Sequence, residues 1–148
     1  MGAWGYGIED NDRFLDIYGE LMDEFNRCVP IGVAIINSMD RWLYDGMRIS
    51  DAHNFFYASA TANWECGCSN SELHRMVKEA VKLESDPKSG YWSEVSQEEF
   101  KYRKKCLKEF LAKISVPNPN PKRLRSKPLK RYYLYGGGLY FRDKGELA

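Results

Sequence analysis

Cys66, Gly67 and Cys68 form a tight thiol pair, with His53 before it and His74 after it. Thiolate and imidazole are the side chains that hold zinc, and they also supply a nucleophile and its base. The spacing argues against zinc, because structural sites usually place two to four residues between paired cysteines. Neither a metal nor another cofactor is expected. Cys28 and Cys106 fall on apolar helix stripes and read as small core residues. His53 and His74 read as helix-surface or boundary histidines. An enzyme assembled from dispersed residues such as His53, Cys66 and His74 ranks last. No phosphate loop, nucleophile elbow or metalloprotease helix occurs, and no catalytic residue is assigned.

Charge is the second chemical signal. Residues 1–27 hold seven acids and two bases, residues 28–100 eleven and six, and residues 101–148 three and fourteen. The formal total of +1 hides segments of −5, −5 and +11. Asp16, Glu20, Asp23 and Glu24 make an acidic face suited to a basic protein partner. Lys122, Arg123, Arg125, Lys127, Lys130 and Arg131 precede Tyr132, Tyr133 and Tyr135. Cations neutralise phosphates and aromatic rings stack on unpaired bases, so this stretch suits a nucleic acid. The reading ranked first is a solvated connecting segment whose tyrosines pack on the core, since no recognised nucleic-acid module surrounds it.

These residues need a scaffold. A chain of 148 residues with 43% hydrophobic and 29% charged residues fits one domain, or one domain with an appendage. At about 150 residues, roughly 70% of the unfolded surface is buried, which makes disulfide or metal staples unnecessary. No apolar run approaches the roughly 20 residues of a membrane span, and no secretory signal is expected. The expected compartment is the cytoplasm, with free thiols.

Apolar periodicity predicts five helices. The first runs from Asn11 to Cys28 on Phe14, Ile17, Tyr18, Leu21 and Phe25, capped by Asp10, Asn11 or Asp12. The second spans Ile31–Tyr44, with Val33, Ile35, Ile36, Met39, Trp42 and Leu43 mostly inside. The third runs from Ser50 or Asp51 to about Cys66, and its small-residue run Ala58–Ala62 permits close contact. The fourth carries Leu73, Met76, Val77, Ala80, Val81 and Leu83 behind a capping box of Ser69 and Glu72. The fifth follows a box of Ser96 and Glu99 and turns Phe100, Arg103, Leu107, Phe110, Leu111 and Ile114 to one side. The organisation is a helical domain over 1–115 and a Pro/Asn and basic linker over 116–131. An aromatic β-hairpin appendage over 132–148 follows, docking on the helices. The fold class is mainly α, an irregular bundle with a C-terminal hairpin.

Met1-Gly2-Ala3-Trp4-Gly5-Tyr6-Gly7, with Asp10-Asn11-Asp12 behind it, resembles the opening of a bacterial domain-of-unknown-function family. Members of that family start Met-Gly-Ala-Trp-Gly-x-Gly followed by Asn-Asp. The resemblance covers about the first tenth of the chain. It implies a compact, mainly helical domain with a glycine- and tryptophan-bearing lead into the first helix. The basic linker and aromatic hairpin depart from the family. Physically, Gly2 permits removal of Met1, and the freed amine would pair with a carboxylate of Asp10 or Asp12. Gly5 and Gly7 allow tight turns, and Trp4 can plug a gap between helices.

The leading expectation is a non-enzymatic protein-binding module, a cytoplasmic immunity or antagonist protein that neutralises a toxin or other effector by direct binding. A nucleic-acid-associated protein is the alternative. No membrane partner is expected.

Overall fold

The computed structural model describes residues 5–127. Among them are five α-helices: α1 (Asp12–Asn26), α2 (Ile31–Trp42), α3 (Ile49–Glu65), α4 (Ser71–Ser85) and α5 (Gln97–Ile114). A 3-10 turn, Pro87–Ser89, lies between α4 and α5. The mainly helical expectation is met. The expected hairpin lies outside the described residues, as do Gly2, Trp4, Lys130, Arg131, Tyr132, Tyr133 and Tyr135.

α3 is the axis of the bundle. The other four helices all pack on it, and eleven of its residues are buried, from Asp51 to Asn63. Its run Ala58–Ala62 is buried throughout, as small side chains on a central helix require. The core is Phe14, Ile17, Leu21 and Phe25 of α1, Phe55 and Tyr57 of α3, and Val77, Leu107 and Phe110 of α4 and α5.

Local signals account for most helix starts. The Asn11 side chain caps α1, accepting from Phe14 N at 2.9 Å, while its amide donates to Asn54 Oδ1 at 3.0 Å. Both bonds of the Ser96–Glu99 capping box form at α5. The box expected at α4 does not form. Asn70 is the cap there, accepting from Leu73 N at 3.0 Å, and Glu72 turns outward to Arg75. A competing ion pair within the first turn draws Glu72 away.

Three further expectations change. Cys28 lies beyond the end of α1, half-buried, with φ of 71° in a turn. On α2, Ile31, Ala34, Ile35 and Ser38 face inward, whereas Val33, Ile36 and Met39 are exposed. Among the described residues α2 packs only on α1 and α3, at the edge of the bundle, so one stripe suffices and the remaining apolar residues point away. On α4, Leu83 is exposed and Glu84 is fully buried, because Leu73, Val77, Ala80 and Glu84 share one helical stripe.

Candidate functional site

Residues 5–10 of the opening motif form a loop wrapped around one carboxylate. Gly7 N donates to Asp10 Oδ2 at 3.0 Å, and Asp10 N donates back to Gly7 O at 3.2 Å. A Cβ at Gly5 or Gly7 would meet that same oxygen at 2.6 or 2.7 Å. The two glycines are therefore required by close approach to Asp10. Asp12 is exposed and begins α1. The expected pairing of the Gly2 amine lies outside the described residues.

The loop is held from the far end of the chain. Arg103, buried on α5, donates from its NH1 nitrogen to the carbonyls of Tyr6 and Gly7, each at 3.1 Å. Its Nε lies 3.1 Å from Glu84 Oε1. Trp92 Nε1 donates to the same oxygen at 3.1 Å, and the Tyr57 hydroxyl donates to Glu84 Oε2. The Arg103 guanidinium also lies 5.4 Å from the Trp92 ring centroid. Burial alone would push the Glu84 carboxyl up, but His53, the Arg103 charge and Tyr57 together hold it below the usual carboxylate range. Burial, and then the Glu84 charge beside it, keeps the Tyr57 phenol protonated. Glu84 has no solvent contact, and both its oxygens accept hydrogen bonds. It is a structural anion.

His53 belongs to this cluster, which corrects its expected surface position. It is buried, stacks on Tyr91 at 5.4 Å, and sets Nδ1 3.4 Å from Glu84 Oε2 without hydrogen-bond geometry. His53 and the thiol pair are therefore held apart along α3, by about 20 Å at 1.5 Å per residue. No group of three potential ligands that could hold a metal occurs among the described residues.

Cys66, Cys68 and His74 lie at the C-terminal end of α3 and the start of α4. Burial, with Cys68 and Glu65 beside it, pushes the Cys66 thiol up to about 12. A thiol in that state is a poor nucleophile near neutral pH. His74 Nε2 lies 2.9 Å from Ser115 Oγ. That hydroxyl spends its only hydrogen on Leu111 O at 2.6 Å, so His74 is the donor.

Cys68, His74, Trp64 and the segment Val116–Pro121 enclose a groove of about 570 Å3. The segment is bound to the end of α3. Trp64 Nε1 donates to Val116 O at 2.7 Å, the Asn118 amide to Trp64 O at 3.1 Å, and Lys122 N to Glu65 O at 2.7 Å. Gly67 has φ of +72°, and a Cβ there would meet Pro121 at 2.6 Å. Glu65 also accepts from the Tyr18 hydroxyl and lies 3.8 Å from Lys122 Nζ. Arg123, Arg125 and Lys127 are exposed.

The acidic residues of α1 divide into two pairs. Asp16 and Asp23 are exposed. Glu20 and Glu24 are half-buried in the seam with α2: Glu20 meets Arg41 at 3.0 Å and Trp42 Nε1 at 3.1 Å, and Glu24 accepts from Asn37 at 3.5 Å. Beside this seam stand Val33, Ile36 and Met39, exposed by 46%, 67% and 39%. Lys101, Lys104, Lys105 and Lys108 line the outer side of α5. α1 packs on α2 and α3, α5 on α3 and α4, and α1 and α5 do not touch. Acidic and basic faces therefore stay apart among the described residues.

Sequence reading missed Glu84 although the signal was present. A carboxylate on an apolar stripe calls for a buried cation, and Arg103 stands on the stripe of the next helix. No helix among the described residues is long and apolar enough to cross a membrane. No protein-family model, curated protein or solved structure matches this chain.

Proposed function

We propose that this chain is a non-enzymatic protein-binding module that engages a basic partner through the outer face of α1 and α2. Within that class it acts as a cytoplasmic immunity or antagonist protein, neutralising a toxin or other effector by direct binding. The observation that carries the reading is the exposed apolar stripe Val33, Ile36 and Met39 on α2, next to an α1 face that carries Asp16, Glu20, Asp23 and Glu24. An apolar centre with a charged rim is the anatomy of a recognition surface. Carboxylates on the rim speed encounter with a cationic partner. The glycine run 136–138 between two aromatic runs of strand character supports the further proposal that residues 132–142 close as a β-hairpin.

The test is capture from nuclease-treated native extract with a C-terminally tagged chain, comparing wild type with Ile36→Asp. A stoichiometric basic protein retained by wild type and lost by the variant is expected. The purified pair should then show suppression of that protein's activity. Equal capture by both chains, or no stoichiometric partner, refutes the assignment.

A further inference from the structure

The groove at the end of α3 has features that a structural junction does not need. Its volume of about 570 Å3 falls in the range of small-ligand sites. Trp64 and His74 supply rings on its wall, and Pro117 and Pro121 supply flat apolar surface. Lys113 Nζ lies 4.9 Å from the Trp64 ring centroid. Asn63 also lines the groove and is 7% exposed. Its amide nitrogen donates to Cys68 O at 3.2 Å, while its amide oxygen has no partner among the described residues. That oxygen keeps contact with solvent, and a ligand donor would take the place of water there. Because His74 donates from Nε2, its Nδ1 is a second free acceptor while the ring is neutral. Leaving the groove at Pro121, the chain runs directly into exposed Arg123, Arg125 and Lys127. The nearby acids are Glu65, which is committed to Tyr18 and Lys122, and Glu72, which is committed to Arg75.

We propose that this groove takes one unpaired nucleobase of a single-stranded nucleic acid, with Arg123, Arg125 and Lys127 on the adjoining phosphates. A base has a π-face for a ring and donors on its edge for Asn63 and His74. Its backbone is a chain of anions matched to a run of cations. A duplex keeps its bases stacked and paired, so it would lose the groove contact and keep only the phosphate contacts. This inference is independent of the α1–α2 reading, which uses other residues.

The test is fluorescence anisotropy with a labelled RNA single strand of about 10 nucleotides, within the span such sites cover. The same sequence as a duplex is the comparison. Wild type should favour the strand over the duplex. Trp64→Ala should weaken strand binding by about tenfold or more, the usual loss of a stacked base. The triple replacement Arg123→Gln, Arg125→Gln, Lys127→Gln should flatten the log–log salt slope by about 2, at 0.7 per phosphate on single strands. Trp64 also anchors Val116, so a second measurement uses the intact chain: photo-cross-linking with a 4-thiouridine strand. Cross-links within residues 63–74 or 114–121 are expected. No strand binding at low salt, equal affinity for duplex and strand, or cross-links confined to the lysines of α5 would each overturn the proposal. None of these results bears on Ile36→Asp.

Discussion

Replacing Arg103 with Met should show how much of the fold depends on one buried pair. The change keeps most of the side-chain volume and removes the charge. Glu84 would then be a carboxylate with 0% exposure and no cation. Breaking a buried pair from one side costs about 3–5 kcal/mol. The Tyr6 carbonyl would also lose its donor, at about 1 kcal/mol where it stays dry, whereas Gly7 O keeps the bond from Asp10 N. Against a total stability of about 5–15 kcal/mol, such a loss leaves a folded but marginal domain. At about 2–4 °C per kcal/mol for chains of this size, Tm should fall by about 10 °C or more. Adding Glu84→Gln removes the stranded charge while keeping an acceptor for Trp92 and Tyr57, and should recover about 2 kcal/mol. The pH response gives a second check. In wild type the Glu84 carboxyl is held below its ordinary 4.5. Its contribution is therefore fully present above pH 4.5 and lost as pH falls through the lower folded value. In Arg103→Met burial dominates and raises that value, so the defect should shrink as pH falls from 7 toward 5. Urea denaturation at pH 7 and pH 5 measures both. A loss below 1 kcal/mol at pH 7, or a double variant no better than Arg103→Met, would refute the reasoning.

Two further outcomes are expected from the same measurement. Gly7→Ala drives a Cβ to 2.7 Å from Asp10 Oδ2 and should cost about 1–3 kcal/mol, whereas Gly32→Ala meets nothing within 4 Å on α2 and should stabilise by up to about 1 kcal/mol. Asn70→Ala should cost about 1 kcal/mol through loss of the α4 cap, while Ser69→Ala should change stability by less than half as much.

The sequence was most legible where periodicity and capping act alone. Phe14, Ile17, Leu21 and Phe25 predict the inward face of α1, and Ser96 with Glu99 predicts the start of α5. Reading failed where several partners competed for one group. Glu72 is equally placed for a capping box and for Arg75, and spacing cannot rank the two. Val33, Ile36 and Met39 have core-like side chains, but burial depends on how many neighbours a helix has, which periodicity does not carry. Arg103 stood visibly on an apolar stripe. Its partners, Glu84 and the carbonyls of Tyr6 and Gly7, are brought to it only by the packing of α4, α5 and the first loop. The candidate groove was illegible for the same reason, since Asn63, His74 and Pro121 meet only in three dimensions.

The bond from Arg103 to Tyr6 O spans 97 residues. That separation dictates an order of events during folding. Contacts so distant in sequence carry a large loop-closure cost and form late. On a ribosome adding about 5–20 residues per second, the first loop waits about 5–20 s for its guanidinium to be synthesised. Until then the segment around Gly5 and Gly7 has Asp10 but no latch, and Glu84 has Tyr57 but no counter-charge. The closing event of folding is therefore the arrival of α5, which neutralises the core and fastens the start of the chain in one step.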